Sequence, residues 1–247
     1  MWLDRGWAPA GAAAVRIDRL EGLAAIALAE SLAVEKGRPR HLRAHLDRLA
    51  EGCSALGWPG PDRAALERAA RAVPAKNRLE RGGLRLRWWG GLSRPLLLAW
   101  ALPAPAETLG APLRIMTSAV RHYGPDSLNA RAKVAQMLPN WLAKAETEAW
   151  AEDGLRLGPE GLVAEGVWTN IVAVKRGVAR TPPLAQGILE GVTRALFLER
   201  LGRSLGLRVR QEPLTRYDLW TAERAWVTSS LRGALEVASV DGRILGA

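Results

Sequence analysis

The chain is predicted to be α+β in two domains, and three observations carry that expectation. Segments of helical period and segments of strand-like alternation occur in both halves, a proline-rich stretch separates the halves, and no internal repeat is visible. The expected domains are residues 1–110, the smaller, and residues 111–247, the larger. With 247 residues, 48% of them hydrophobic, there is enough apolar surface to bury a sizeable core.

Taken in order, "RHLRAHLDRLAEGCSALGWPG" places Leu42, Leu46, Leu49, Cys53 and Leu56 at steps of three and four, an apolar helical stripe closed by Gly57 and Pro59. A second short helix is expected after it. "GGLRLRWWGG" then alternates apolar and basic residues, and "RPLLLAWALPA" follows across a glycine-bounded turn, so the two are read as a hairpin. "LPAPAETLGAP" is read as the linker between the domains. Beyond it, "PLRIMTSAV" is expected to be a strand and residues 133–152 a helix. "GLVAEGVWTNIVAVKRGVART" has the pattern of short strands around a tight turn, and "GILEGVTRALFLERLGRSLG" returns to helical period. "RAWVTSSLRGALEVASVDGRI" closes the chain as strand, turn and strand.

Composition narrows the function classes. The formal charge of +10 would suit a nucleic-acid binder, but the arginines are scattered through apolar stretches instead of forming runs, so no nucleic-acid partner is expected. Nor do the eleven tryptophans interleave with a basic patch as stacking platforms would; they read as core or interface aromatics. Cys53 is the single cysteine and the three histidines have no cysteine partners, so neither an internal disulfide nor a metal site is expected. No stretch approaches the roughly 20 apolar residues of a spanning helix, and "MWLDRGWAPAGAAAVRIDRLEG" lacks the apolar core of a secretory signal. The expectation is a cytoplasmic protein without a membrane partner.

One residue type stands out by its rarity. The chain has five lysines against thirty arginines, and one of the five, Lys133, lies in "LNARAKVAQMLPNW". Arginine stays protonated at any working pH, whereas a buried lysine sheds its proton more readily and becomes an amine nucleophile. Lys133 is therefore a candidate for chemistry, with a solvated helix lysine as the other possibility.

Four stretches, "AHLDRL", "ARAKVAQMLPNWLA", "GLVAEGVWTNIVAV" and "TPPLAQGILEGVTRALFLERL", occur in an order and spacing that resemble the class IV pyridoxal-phosphate enzymes. That family includes branched-chain aminotransferases, D-amino-acid aminotransferases and 4-amino-4-deoxychorismate lyases. The resemblance runs from about residue 30 to the C-terminus. It implies the two-domain fold type IV, D-amino-acid aminotransferase-like architecture, with pyridoxal 5'-phosphate at the domain interface and a homodimeric assembly.

The resemblance also implies roles. Lys133 matches the lysine that bonds the cofactor's aldehyde and later moves the substrate proton. Glu165 in "EGVWTN" matches the glutamate that pairs with the pyridine nitrogen, and Asn170 fixes that loop. For the phosphate, Arg48 matches the arginine of "HxxRL" as a two-pronged donor, with His45 supporting it, and Val192 and Thr193 match a turn at a helix start. Ser230 and the Leu231 N–H in "VTSSLRG" resemble a further phosphate contact. The family's "DRGxxYGDGxFET" segment is replaced by "DRLEGLAAIALAESL", in which only Glu30 and Ser31 resemble its end. Ser31, Arg121 and Arg232 are candidates for substrate contact.

The aminotransferase branch carries a tyrosine that bonds the cofactor's phenolic oxygen, and Met137 stands there instead. "VTSSLRG" is closer to the "TNSLxG" of the lyase branch. The expected activity is therefore conversion of 4-amino-4-deoxychorismate to 4-aminobenzoate and pyruvate, as in folate synthesis. A class IV aminotransferase acting on branched-chain or D-amino acids is the alternative. A basic nucleic-acid binder, or a relative that no longer holds the cofactor, is a further one.

Overall fold

The computed structural model describes residues 1–3, 6–7, 26–104, 112–127 and 130–246. Most of the expected linker lies outside the described residues, as does the start of the "DRLEGLAAIALAESL" segment. The chain divides into two compact units: Met1–Ala106 with Arg131–Gln136, and Glu107–Ala130 with Met137–Ala247. A boundary near residue 110 assigns 131–136 to the second half, whereas here that segment packs with the first.

The first unit is a six-stranded sheet with two helices on one face. The strands are β1 (Trp2–Leu3), β2 (Gly6–Trp7), β3 (Leu28–Glu35), β4 (Arg38–Pro39), β5 (Arg81–Trp89) and β6 (Leu96–Leu102), in the order β2-β1-β6-β5-β3-β4. The expected hairpin is β5–β6, its register running from Trp89↔Leu96 to Gly83↔Leu102. Helix α1 (Leu42–Ala55) carries the expected stripe, and α2 (Arg63–Lys76) is as long, started by Asp62, whose side chain accepts from the Ala65 N–H at 3.0 Å. Alternation on β3 and β5 turns Leu28, Leu32, Val34, Leu84 and Leu86 toward these helices, where they form one core with Leu46, Leu49, Cys53 and Leu66. α1 lies so close that a Cβ on Gly52 would meet both Leu28 methyls at 3.1 Å.

Residues 131–136 are extended, not helical. The Ala29 N–H donates to the Lys133 carbonyl at 2.7 Å and the Ala135 N–H to the Ala27 carbonyl at 2.7 Å, so the segment lies antiparallel to the start of β3. The helix expected over 133–152 is α3, Leu138–Thr147 only. Pro139 is the reason: it disfavours helix in the residues before it and suits the first turn of the helix that it opens.

The second unit is built on a strongly curved sheet: β7 (Leu113–Thr117), β8 (Asp153–Leu157), β9 (Val163–Gly166), β10 (Asn170–Lys175), β11 (Val178–Thr181), β12 (Arg208–Gln211), β13 (Arg224–Ser229), β14 (Gly233–Val240) and β15 (Arg243–Ile244). The order is β12-β11-β10-β13-β14-β7-β8-β9, with β15 paired to β14. β9 ends this path, yet it runs into β10 through a tight turn in which the Gly166 N–H donates to the Thr169 carbonyl at 2.8 Å. The sheet must therefore curl until β9 approaches β10. Its two faces bury separate cores, one around Ile115, Leu155, Val163, Ile171 and Val227, the other around Val172, Val174 and Trp226 under α4 (Val192–Leu205). A five-residue helix, α5 (Arg216–Trp220), opens with a capping box made by Thr215 and Asp218.

Candidate active site

In the first unit, α1 presents His45 and Arg48 one turn apart to β3, and both meet Glu30. Arg48 donates Nε to Oε1 at 2.8 Å and Nη2 to Oε2 at 2.7 Å, and His45 Nδ1 lies 2.7 Å from Oε2. Glu30 is 1% exposed. Burial by itself would raise its carboxyl pKa, but the Arg48 charge and the hydrogen bonds from His45 and Arg48 outweigh it, holding the group at about 2. Glu30 thus occupies the Nε and Nη2 donors of Arg48. Lys133, half-buried, is tied through its own carbonyl to Ala29, the residue before Glu30. Ser31 points to the opposite sheet face, where it pairs in register with Arg85.

In the second unit, Glu165 meets Asn170 among the other candidates. β9 and β8 pair Glu165 with Arg156 and then Val163 with Leu157, so Ala164 is an extra residue, a β-bulge. Without it Val163 and Glu165 would share a face; with it Val163 enters the core and Glu165 turns to the face of Arg156 and Asn170.

Three donors and a histidine ring nitrogen surround the Glu165 carboxylate. Asn170 Nδ2 and the Leu189 N–H both reach Oε2 at 3.1 Å, while His122 Nε2 lies 3.1 Å and Arg156 Nη2 3.5 Å from Oε1. Asn170 Nδ2 also reaches the Leu189 carbonyl at 3.0 Å, linking β10 to the loop before α4. Behind the turn, Asp153 accepts from Thr169 Oγ1 at 2.6 Å and from the N–H groups of Val167 at 3.2 Å and Gly154 at 3.0 Å. Burial pushes the Asp153 carboxyl pKa up, against those same hydrogen bonds. A Cβ on Gly166 would lie 2.1 Å from Thr169 Oγ1, and one on Gly191 2.0 Å from Asn170 Oδ1; both positions require glycine for close approach.

Val192 and Thr193 open the fourteen-residue α4, whose N-cap Gly191 offers no side chain and whose first turn holds no acid. Its leading N–H groups and dipole are thus left for an anion. Ser230 and Leu231 form the half-buried turn between β13 and β14, beside Thr228, whose buried hydroxyl has no partner among the described residues. Arg232 is half-buried in the same turn and Arg121 is exposed. Sequence reasoning missed His122 and Arg156. An arginine between two leucines in "GLRLGPEG" was the available signal for the second, and nothing in "RHY" marked the first.

A family model, Amino-transferase class IV, matches residues 27–240. The chain belongs to this family. Class IV aminotransferases use pyridoxal phosphate, and this chain shares their α+β, fold type IV architecture. The chain is 35% identical over 153 residues to a putative branched-chain-amino-acid aminotransferase of Methanocaldococcus jannaschii, covering 62% of this chain and 53% of that one. It therefore spans about half the length of that relative. The branched-chain-amino-acid aminotransferase of Pseudomonas aeruginosa is 29% identical over 222 residues, 83% of this chain and 72% of that protein. Among solved structures, the 4-amino-4-deoxychorismate lyase of Pseudomonas aeruginosa superposes with a TM-score of 0.85 at 30% identity, covering 99% of this chain and 92% of that one. Class IV relatives of both the aminotransferase and the lyase kind are thus similar to this chain, and the two curated relatives are branched-chain aminotransferases. No described helix is long and apolar enough to cross a membrane.

Proposed function

We propose that this class IV protein is an amino-acid aminotransferase for branched-chain or similarly apolar substrates, with Lys133 and Glu165 in the roles that their motifs give them toward pyridoxal phosphate. The observation that carries the chemistry is the Glu165 carboxylate, largely buried yet met by three donors and the His122 ring, on the strand where the family motif expects the ring-nitrogen partner. The likeness to branched-chain aminotransferases supports the substrate class. When bound, the cofactor supplies an aldehyde for amines and a ring that accepts electron density as the substrate Cα–H bond breaks.

The protein's part is to bind, orient and move protons. Lys133 would bond the cofactor's aldehyde, and its Nζ would serve as the base that takes and returns the substrate proton. Glu165 holds a proton on the ring nitrogen, with Asn170 and the Leu189 N–H fixing its Oε2. The Val192 and Thr193 N–H groups, Ser230 and the Leu231 N–H bind the phosphate. Arg48 contributes positive charge toward the phosphate. Ser31, Arg121 and Arg232 stay candidates for the substrate carboxylate.

Two residues favour a second reading, 4-amino-4-deoxychorismate lyase. Met137, at the start of α3, cannot donate the hydrogen bond of the aminotransferase tyrosine, and "VTSSLRG" keeps the lyase-like turn. The discriminator is the need for an acceptor. Supplied with leucine and 2-oxoglutarate, the cofactor-loaded protein is expected to form glutamate with ping-pong kinetics. Release of pyruvate and 4-aminobenzoate from aminodeoxychorismate, with no turnover of leucine, would establish the lyase instead.

A further inference from the structure

Strand β8 places an arginine where its neighbours are core leucines. Arg156 is 1% exposed, and its Nε and Nη1 have no hydrogen-bond partner among the described residues. Burial pushes its pKa down, with Glu165, Tyr123 and Asp153 pulling the other way. A buried, poorly satisfied guanidinium is unfavourable for folding, and a leucine here would suit the sheet better. The charge therefore has to be explained by what it faces, and directly across the ladder it faces Glu165.

Two side chains, Arg156 and His122, converge on one oxygen of Glu165, Oε1. His122 Nδ1 lies 2.9 Å from the Tyr123 carbonyl oxygen, which only accepts, so Nδ1 carries a hydrogen. A neutral ring then leaves Nε2 bare, 3.1 Å from a Glu165 oxygen that is also an acceptor when ionised. One more proton must sit between them, on Nε2 or on Glu165. Either way, Arg156 Nη2 approaches the same oxygen at 3.5 Å from the residue directly across the ladder.

We propose that Arg156 is a positioning residue that orients Glu165 toward the cofactor's ring nitrogen, so that this nitrogen stays protonated in this enzyme. This rests on the reading that Glu165 meets that nitrogen. Its effect is exerted through Glu165, and Arg156 itself touches neither substrate nor cofactor.

The test uses protein loaded with pyridoxal phosphate labelled with 15N in the ring. The nitrogen shift is read in the parent, Arg156→Met, Arg156→Gln and Arg156→Lys, alongside bound cofactor per chain. The parent and Arg156→Lys are expected at the protonated end of the pyridine range. Arg156→Met is expected to move toward the unprotonated end with cofactor still bound, and Arg156→Gln, which keeps a polar head, gives the same answer should the methionine variant fail to fold. A protonated parent with unchanged Met and Gln variants overturns the role of Arg156 alone. An unprotonated parent overturns the placement of Glu165 and this inference with it.

Discussion

Arg48 grips Glu30 with two nitrogens at once, at 2.8 and 2.7 Å, in a place where the carboxylate is 1% exposed. The Glu30 carboxyl is held at about 2 against an ordinary 4.5, so the group is depressed in the fold. A depressed acid stabilises the fold above its unfolded pKa, and that contribution is lost as pH falls toward the folded value. Urea midpoints measured at falling pH should therefore hold steady down to about 4.5 and drop between there and about 2, by on the order of 3 kcal/mol from this group. Glu30→Gln should be less stable at neutral pH and flatter across the acid range.

The same pair gives Arg48 a structural duty separate from any phosphate. Arg48→Ala leaves Glu30 buried with its main counter-charge gone, which costs about 3–5 kcal/mol in such sites. The loss should be visible in cofactor-free protein by denaturant unfolding, and the double change Glu30→Gln with Arg48→Met should recover a large part of it. Cofactor-free Arg48→Ala as stable as the parent would contradict the clamp.

Gly166→Ala is expected to be costly although its backbone angles are ordinary. The added methyl would meet Thr169 Oγ1 at 2.1 Å and Asp153 Oδ2 at 2.7 Å, so the turn carrying Glu165 must shift. Overpacking of this kind costs about 1–3 kcal/mol. Thermal unfolding should report the loss, and activity should fall further than stability does because Glu165 moves with the turn.

The outer surface of α3 bears on assembly. Its buried stripe is Asn140, Ala143 and Thr147, whereas Leu138, Trp141 and Leu142 are 67%, 59% and 51% exposed. Trp141 stacks edge-on against the half-exposed Trp168 at 5.2 Å between ring centres. A helix that turns its larger apolar side chains outward suits an interface, and a homodimer is the expectation. Light scattering should give twice 26.8 kDa, and Trp141→Lys should weaken the assembly.

The elements were legible in the sequence where period and punctuation agreed, as in α1, the β5–β6 hairpin and α4. The helix over 133–152 was not, because apolar spacing continued smoothly across Pro139 while the backbone before it pairs with β3. In the site, Glu165 and Asn170 could be found from a local motif. The contacts of Arg156 and His122 with Glu165 could not, since the first depends on one bulge residue, Ala164, and the second joins residues 43 apart in sequence. Glu30 was noticed only as the end of a degraded segment, and its ion pair with Arg48 needs the register of β3 against α1.

The proposed chemistry rests above all on Lys133 carrying the cofactor. Borohydride reduction of the loaded protein followed by peptide mapping tests this most directly. The expected result is a single pyridoxyl group on Lys133, with Lys133→Ala unlabelled there and devoid of turnover. A label on Lys36, Lys76, Lys144 or Lys175 in the parent, or no label at all, would contradict that role.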